Sequence, residues 1–351
     1  MYPQHRASSL YRRMLAPKLV PAVFAIAVIA AGLSAAALST QISCQRVADT
    51  PLLTPAKGFT EFGLFNPAAI QAGGKTVLLF RAQDQHHTSR IGYAESTDGL
   101  HFTARPEPVL SPSASYEKNG GVEDPRVVQI GATYYLTYTA YDLHSAQLCL
   151  ATSSDLLHWE RHGVILPAYQ GTWNTQWTKS GAILPQKIKD RWWMYYLGTR
   201  KDADGKSRDY MGLASSLDLL HWKDATDKPV LDRRPGAFDS RVMEPGPAPF
   251  LTDAGIFLLY NGADDNLVYS PGWVLFDRHD PTRVIARADR PFIAPSLPWE
   301  KTGNVPNVIF LEGAVAQPVT RPGVSRNSLE LTAYYGAADK YIGALRIHVK
   351  L

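Results

Sequence analysis

Five short segments of the chain place acidic, basic or amide side chains directly ahead of an apolar, aromatic run. In the richest segment, Glu123, Asp124 and Arg126 lead into such a run. If the five segments converge, acids from three of them meet in one place with a base and an amide, which is a reactive combination. Two carboxylates facing each other across a sugar are the working parts of a glycosidase, in which one carries a proton and the other stays ionised. The residues at the five leading positions are Asn66, Glu123 with Asp124, Lys179 with Ser180, Glu244, and Glu312.

The acids at these positions differ in their neighbours. Asp124 lies two residues from Arg126, which favours its ionised form, so the local sequence does not identify it as a direct proton donor. Glu244 and Glu312 have no adjacent cation, and either could be a base that activates water. Because a proline favours an extended conformation in the residue before it, we expect Pro125 to hold Asp124 in a stiff, extended entry to its strand.

The basic residues near these acids admit two interpretations. Arg81 and Lys179 could bind an anionic group, or they could neutralise the acids. The sequence contains no His/Cys ligand spacing, no phosphate-cradling glycine loop and no serine nucleophile elbow, so it predicts neither a metal nor a cofactor. The first 50 residues hold five basic residues and one acid, and the rest of the chain has equal numbers of the two. Because residues 51–351 have no excess of positive charge, the sequence gives no indication of nucleic-acid binding.

The five segments are spaced by a repeat of about 60 residues. Asp98, Asp155 and Asp218 occupy the same turn in three near-copies, 57 and 63 residues apart, and Asp280 follows 62 residues later in a looser copy. The histidine that recurs three residues after the aspartate in the close copies is expected to be structural. No long segment after residue 50 has helical periodicity. The pattern therefore predicts an all-β fold, a five-bladed β-propeller with four strands in each blade.

The chain divides into two predicted regions. Residues 1–50 comprise a basic start, an uncharged apolar stretch at 19–38 and a linker, and residues 51–351 form the propeller. A basic start followed by about 20 apolar residues is typical of a signal sequence or a membrane anchor. We therefore expect an exported protein, either periplasmic or otherwise extracytoplasmic, or one that residues 19–38 anchor to the membrane.

These motifs together resemble glycoside hydrolase family 130, a family of mannoside phosphorylases and β-mannosidases with a five-bladed propeller. The resemblance runs from about Asn66 to Ile342, nearly the whole body of the chain. It implies a mannose-containing oligosaccharide as the substrate, with β-1,2-linked mannosides as the expected class. It rests on the Ser-x-Asp-Leu turns and on the segments Asn66–Ala69, Gly121–Arg126, Gly246–Pro249, Asn304–Phe310 and Tyr335–Asp339.

The resemblance also implies roles for individual residues. Asp124 is the expected general acid, with its proton passed through a hydroxyl group of the mannose. Glu244 or Glu312 is the expected base. Arg81, Arg126 and Asp339 are expected to hold the mannose at the cleaved bond. The full set expected to bind the substrate is Asn66, Arg81, Glu123, Arg126, Lys179 and Asp339.

Two positions favour the hydrolase branch of the family over the phosphorylase branch. Asn261 stands where phosphorylases often carry a histidine before a glycine, and Tyr195–Thr199 stands where they tend to carry a His-Arg pair. Acids at Glu244 and Glu312 would also repel phosphate. We therefore predict an inverting β-mannosidase. Lys179 leaves a phosphorylase that uses inorganic phosphate as one alternative, and a non-catalytic glycan-binding propeller is the other; the oligomeric state is not predicted.

Overall fold

The computed structural model of the chain describes residues 40–317 and 327–351, and its regular structure is almost all β-strand. The all-β prediction is confirmed. The helical elements among these residues are a 3-10 turn at Ser115–Glu117 and a short α-helix, α1 (Pro298–Lys301). The apolar stretch 19–38, for which export or anchoring is predicted, lies outside the described residues. Between residues 40 and 317 and from 327 to 351, no helix is long and apolar enough to cross a membrane.

The strands form five antiparallel groups, which we call sheets 1 to 5. The first strand of the chain, β1 (Gln41–Arg46), belongs to sheet 5. Sheet 1 contains β2 (Gly63–Ala72), β3 (Lys75–Gln83), β4 (Ser89–Ser96) and β5 (Thr103–Ala104). Sheet 2 contains β6 (Gly121–Ile130), β7 (Thr133–Tyr141), β8 (Ala146–Ser153) and β9 (Glu160–Leu166). Sheet 3 contains β10 (Thr178–Ile183), β11 (Trp192–Lys201), β12 (Ser207–Ser216) and β13 (Lys223–Asp224).

The last two sheets complete the set. Sheet 4 contains β14 (Val242–Pro245), β15 (Phe250–Leu251), β16 (Ile256–Ala263), β17 (Tyr269–Phe276) and β18 (Val284–Arg287). Sheet 5 contains β19 (Ile309–Ala316), β20 (Ser328–Ala337) and β21 (Tyr341–Lys350), with β1 on its edge. Sheets 1 and 2 are joined by a single parallel bridge between Ser89 and Gly121, so their hydrogen bonding is continuous over eight strands.

Sheet 5 is linked to the start of the chain in two ways. Strand β1 pairs with β21 from Gln41–Lys350 to Arg46–Leu345, so residues 41–46, assigned to the linker from sequence, form part of a sheet. Strand β19 lies against β2, and a Cβ added at Gly313 would come within 2.5 Å of the backbone of Pro67 and Ala69. Glycine at this position permits that close approach.

The core lies between neighbouring sheets. Aromatic residues in the middle strands fill it: Tyr195 of β11 is fully buried, stacks on Phe276 of β17 at 4.6 Å between ring centroids, and donates a hydrogen bond to the carbonyl of Pro281. These rings hold sheet 3 against sheet 4 and contribute the large apolar burial on which the fold depends.

The leading strand of each sheet (β2, β6, β10, β14 and β19) carries the residues predicted to do chemistry. Four of these strands depart from regular pairing at the predicted position: the register skips Asn66 in β2, Asp124 and Pro125 in β6, Ser180 and Gly181 in β10, and Glu312 in β19. Such β-bulges release a residue from the ladder and redirect its side chain. Asn66, Asp124 and Ser180 have positive φ angles of 49°, 49° and 58°. The prediction that Pro125 holds Asp124 extended is therefore wrong, because the bulge sets the backbone in the left-handed region.

The turn after the third strand has one construction in sheets 1, 2 and 3. In sheet 2, the Ser153 hydroxyl and the Asp155 carboxylate each accept hydrogen bonds from two backbone amides of the turn. The His158 ring is 88% exposed, and its Nδ1 lies 2.7 Å from Asp155 Oδ2. Asp98 and Asp218 make the same contacts with their own histidines. The recurring histidines thus brace turns on the surface, as expected from sequence.

Candidate active site

The structure brings the nine predicted residues into one region. Eight lie on strands: Asn66 on β2, Arg81 on β3, Glu123, Asp124 and Arg126 on β6, Lys179 on β10, Glu244 on β14, and Glu312 on β19. The ninth, Asp339, lies in the turn between β20 and β21. Direct contacts link the residues of β2, β3, β6, β14 and β19, and electrostatic interactions tie Lys179 and Asp339 to the same acids.

Asp124 is the centre of this cluster. Its Oδ1 accepts hydrogen bonds from Asn66 Nδ2 at 2.8 Å and from Arg81 Nη1 at 3.1 Å, and the residue is buried. Burial alone would raise the pKa of Asp124, but the charges of Arg81, Lys179 and Arg126 and the hydrogen bond from Asn66 outweigh it, so the pKa lies below its usual value. Asp124 is therefore ionised before substrate binds.

Glu123 fixes the position of Arg81. Its Oε1 accepts hydrogen bonds from Arg81 Nη2 at 2.6 Å and from the Ser89 hydroxyl at 3.0 Å. Arg81 Nε also donates to Ser89 Oγ at 3.0 Å, so this guanidinium has fixed partners on two sides before any ligand enters. Burial raises the pKa of Glu123, while the charge of Arg81 opposes the shift. The arrangement aims Arg81 at Asp124 with a defined geometry.

Arg126 holds two strands of the site together. It is 2% exposed, and all three of its nitrogens donate to backbone carbonyls: Nε to Gly246 at 3.2 Å, Nη1 to Asp124 at 3.2 Å and Nη2 to Pro245 at 2.7 Å. These bonds join β6 to the end of β14. With its donors already used, Arg126 is better placed to position the backbone of Asp124 than to grip a sugar hydroxyl.

The two candidate bases lie in different surroundings. Glu244 Oε1 accepts a hydrogen bond from the Ser180 hydroxyl and lies 3.8 Å from Arg126 Nη2. Glu312 is 1% exposed and lies 3.4 Å from Arg126 Nη1, but neither of its carboxylate oxygens accepts a hydrogen bond from any residue that the structure describes. Burial raises the pKa of both carboxyl groups, that of Glu312 well above its usual value. Of the two, Glu244 has the better environment for an ionised base.

Glu312 also faces a different space. It lines a cavity of about 380 Å³ whose other walls are mostly aliphatic side chains and prolines, among them Val127, Pro247 and Val315. Apolar surroundings without a hydrogen-bond donor favour the neutral carboxylic acid. Glu312 therefore contacts the polar cluster through Arg126 but also borders an apolar cavity.

A polar cavity of about 320 Å³ opens beside Lys179. Its walls include Lys179, Arg241 and Tyr269, and the side chains of Lys179 and Arg241 have no carboxylate within 4.0 Å in the part of the chain that the structure describes. Burial lowers the pKa of Lys179, but the charges of Glu244 and Asp124 raise it by more, so the ammonium group stays protonated. Two cations without ion pairs in a concave, partly buried space form a suitable site for an anion.

Asp339 completes the cluster from sheet 5. Its backbone carbonyl accepts a hydrogen bond from Asn304 Nδ2 at 2.8 Å, which fixes the turn, and its φ is 50°. Burial raises the pKa of Asp339 to about 7, with Arg81 opposing and Asp124 and Glu244 adding to the shift. Asp339 therefore titrates near neutral pH, unlike Asp124.

Sequence reasoning missed several residues of the site. Asp209 lines the cavity beside Lys179 and accepts a hydrogen bond from Thr199 Oγ1 at 2.5 Å, and Arg241 and Tyr269 line it from sheet 4. None of them lies at a leading position. No sequence motif marks these positions; Asp209 is tied to the site by facing Thr199 across β11 and β12, a pairing that only the register of the sheet reveals.

Two positions that favoured the hydrolase branch have structural roles here. Asn261 is fully buried and exchanges two hydrogen bonds with the backbone of Leu311, donating to its carbonyl and accepting from its amide, each at 2.8 Å. Tyr195 packs in the core. Neither of these two side chains lines the cavity beside Lys179, but Thr199, at the end of the second stretch, does.

Comparisons with known proteins agree on the family. A family model described as β-1,4-mannooligosaccharide phosphorylase, of glycoside hydrolase family 130, matches residues 47–350. The chain is 36% identical to a 1,2-β-oligomannan phosphorylase of Thermoanaerobacter sp. (strain X514), over 88% of this chain and 98% of that protein.

Solved structures of the same family are also similar. A β-1,2-mannobiose phosphorylase from Listeria innocua, in complex with β-1,2-mannobiose, is 27% identical with a TM-score of 0.73, over 86% of this chain and 96% of that one. A structure from work on family 130 glycoside hydrolases that target β-1,2-mannosidic linkages in Candida mannan is 33% identical with a TM-score of 0.74, over 87% of this chain and 93% of that one.

Proposed function

The chain belongs to glycoside hydrolase family 130, and we propose that it is a phosphorylase that cleaves β-1,2-linked mannosides with inorganic phosphate. An oxygen of phosphate bonds to the anomeric carbon of the mannosyl unit, the glycosidic C–O bond breaks, and the leaving oxygen takes a proton. The products are mannose 1-phosphate and a shortened mannoside. The names of the similar proteins from Thermoanaerobacter and Listeria support this choice over the hydrolase predicted from sequence.

The observation that carries the proposal is the pair of cations that line the cavity beside Lys179 and form no ion pair with any described residue. Lys179 and Arg241 together offer charge to a phosphate ion at the edge of the catalytic cluster. The acids are a weaker obstacle to phosphate than their number suggests. Glu312 is held towards its neutral form by burial, and Glu244 is balanced by Lys179 and Arg126.

Asp124 is the proposed general acid. Its pKa is low in the free protein because cations surround it. A phosphate ion bound at Lys179 would offset that positive charge and raise the pKa of Asp124 towards the value that a proton donor needs. Asn66 and Arg81 hold the carboxylate in place, and Arg81 with Asp339 is proposed to bind hydroxyl groups of the mannose.

Hydrolysis is the second candidate, and a specific observation favours it. Glu244 and Asp209 place two carboxylates near the cavity, and Glu244, with its raised pKa and its bond from Ser180, has the character of a base that could take a proton from water. The similarity to a structure from work on family 130 hydrolases is compatible with this reaction.

Incubation of the purified protein with β-1,2-mannobiose, with and without phosphate, separates the candidates. We expect equal amounts of mannose and mannose 1-phosphate when phosphate is present and little cleavage without it. Release of two mannose molecules independent of phosphate overturns the phosphorylase and supports the hydrolase. Binding of the disaccharide without any cleavage supports a glycan-binding protein.

A lysine pair sharpens this test. Lys179→Met should lower kcat/KM for phosphate by roughly ten- to a hundredfold, since a charge-assisted contact is worth about 1.5–3 kcal/mol. Lys187→Met is the matched control, because Lys187 lies over the ring of Trp192, away from the site. Equal effects of the two substitutions would contradict the role given to Lys179.

Two further proposals concern architecture and location. We propose that the five sheets are the blades of a five-bladed propeller, a view supported by the contact of β19 with β2 and by the pairing of β1 with β21. Export or anchoring through residues 19–38 is proposed from the sequence alone.

A further inference from the structure

We propose that Arg46 is a positioning residue for the candidate active site. Acting through Glu300, it fixes residues 304–308, which we call the support segment, and this segment holds the turn that carries Asp339. The N-terminal strand β1 thereby sets how tightly the protein binds its mannoside. The inference rests on the proposed binding of mannose by Asp339.

The turn that carries Asp339 has an unfavourable backbone conformation. Ala338 and Asp339 are consecutive, and their φ angles are 47° and 50°. Residues with a side chain are disfavoured in this left-handed region and stay there only where surrounding contacts enforce it. The position of the Asp339 carboxylate therefore depends on the contacts that hold this turn.

The support segment provides those contacts. Asn304 Nδ2 donates a hydrogen bond to the carbonyl of Asp339 at 2.8 Å. The amide of Val305 donates to the carbonyl of Ala338 at 3.1 Å, and the amide of Ala338 donates to the carbonyl of Val308 at 3.2 Å. Because these hydrogen bonds fix two adjacent residues, a shift of the support segment would move Asp339 with it.

The support segment is in turn fixed by α1, which precedes it. The amide of Val308 donates to the carbonyl of Glu300 in α1 at 3.0 Å, so the end of the segment is bonded back to the helix. The Glu300 side chain is fully buried. Its Oε2 accepts hydrogen bonds from the amides of Ser296 and Leu297 at 2.7 and 2.9 Å, and its Oε1 accepts one from the Tyr335 hydroxyl at 2.9 Å. Glu300 therefore attaches α1 to sheet 5.

Arg46 of β1 completes the surroundings of Glu300. Its Nε donates to Glu300 Oε1 at 2.6 Å and its Nη2 to Oε2 at 2.8 Å, a two-point contact that defines direction as well as distance. Burial alone would raise the pKa of Glu300, but the hydrogen bonds from Arg46, the backbone amides and Tyr335 hold it below its usual value. Removal of the Arg46 guanidinium would leave a buried carboxylate without its cation, which destabilises the position of α1.

Sheet 2 contains the same arrangement and provides a control. Glu117 is fully buried and accepts hydrogen bonds from the amides of Ser113 and Ala114, from the Tyr138 hydroxyl at 2.8 Å and from Arg161 Nε at 3.3 Å. Arg161 lies on β9, the outer strand of the same sheet, whereas the corresponding arginine of sheet 5 comes from the other end of the chain. None of these hydrogen bonds involves the support segment or the turn that it holds, so loss of Arg161 should lower stability without moving that turn.

The test is the effect of Arg46→Met on two KM values. Displacement of Asp339 should raise KM for β-1,2-mannobiose about tenfold, the effect expected when a hydrogen bond to a charged group is misaligned. KM for phosphate should change less than about twofold, because Lys179 and Arg241 lie outside the displaced turn. A general loss of packing would move both values together.

Further variants identify the route. Arg46→Lys keeps the charge but not the two-point contact, so it should restore part of the affinity for mannobiose. Asn304→Ala removes the last link directly while Arg46 and Glu300 stay in place, and it should give the same separation of the two KM values. Arg161→Met should lower the melting temperature about as much as Arg46→Met does, with both KM values unchanged.

The inference is overturned if folded Arg46→Met and Asn304→Ala proteins keep the parent KM for mannobiose or raise both KM values equally, or if Arg161→Met gives the same separation. Cleavage without phosphate would remove the proposed nucleophile instead, and KM for mannobiose in hydrolysis would then test Arg46 in the same way. If no mannoside is cleaved, the proposed function falls, and the dissociation constant of β-1,2-mannobiose, measured by titration calorimetry on the same variants, decides the role of Arg46.

Discussion

Two sets of repeated positions in this molecule have diverged to different extents. The turns after the third strands of sheets 1 to 3 keep the same residue types and the same hydrogen bonds, as the pairs of Asp155 with His158 and of Asp218 with His221 illustrate. Bulges interrupt four of the leading strands at corresponding positions but carry a different side chain each time. Those side chains are Asn66, Asp124, Ser180 and Glu312.

In this repeat architecture, the positions that stabilise each sheet are thus different from the positions that supply reactive side chains. A surface turn needs one solution, and repetition supplies it in each sheet. A site that must bind and cleave an asymmetric ligand needs different groups on each side, so the equivalent bulges diverge. The backbone of Asp124 and that of Asn66 have the same φ of 49°, yet one supplies a carboxylate and the other the amide that bonds to it.

The largest test of this contrast compares two aspartates. Asp124→Asn should reduce kcat by at least about a hundredfold, since general acid catalysis contributes roughly 10²–10⁴, while Asn still accepts the bond from Arg81 and the fold persists. Asp155→Asn at the surface turn should leave kcat unchanged. Steady-state kinetics and circular dichroism melts measure both. An active Asp124→Asn enzyme would remove the proposed acid.

The second test uses the opposite pKa shifts of two acids. Asp339 has its pKa raised to about 7 by burial, so its contribution to the free energy of unfolding is full below the usual aspartate pKa and is lost as pH rises through about 7. As pH rises from 4 to 8, the free energy of unfolding of Asp339→Asn should therefore increase relative to that of the parent, in total by more than about 1 kcal/mol.

Asp155 should behave in the opposite sense. Hydrogen bonds from the His158 side chain and from the turn amides hold the pKa of Asp155 below its usual range, so its contribution is present near neutral pH and is lost as the solution becomes acidic. Urea unfolding of the Asn variants across pH 3–8 compares the two. Parallel pH curves for Asp339→Asn and the parent would contradict the assigned environment of Asp339.

The smallest expected effect belongs to the exposed histidines. His158→Ala removes only a solvent-exposed contact with Asp155, so the free energy of unfolding should stay within about 0.5 kcal/mol of the parent, with kcat unchanged. Thermal melts and the same activity assay measure this. A large loss of activity would mean that the repeated turns contribute to the site after all.

The sequence predicted the repeat, the all-β class and the convergence of the leading positions, because each depends on local patterns that recur along the chain. It could not predict that bulges set Asn66 and Asp124 in the left-handed region, since proline chemistry argued for extended backbone there. Nor could it predict that the Arg126 guanidinium donates hydrogen bonds to the backbone carbonyls of Pro245 and Gly246. Those carbonyls lie about 120 residues further along and meet the guanidinium only through the packing of separate sheets.

The choice between phosphate and water as the nucleophile also could not be predicted from local sequence. The position of Asn261 in the sequence suggested a role in choosing the nucleophile, but its side chain bonds to the backbone of Leu311 in the neighbouring sheet and does not line the cavity beside Lys179. Asp209 and Arg241, which line the cavity, carry no motif. Residues of this kind come together only when separate sheets pack, so patterns within one segment cannot identify them.

The pairing of β1 with β21 has a consequence for the order of folding. Its partners lie about 300 residues apart, so this edge of sheet 5 cannot form until nearly the whole chain has been synthesised. Until then β1 presents unpaired backbone groups that could associate with other chains. Completion of the C-terminal strand is thus the step that closes the sheet, and a chain truncated before Tyr341 should be prone to aggregation however well its first four sheets have formed.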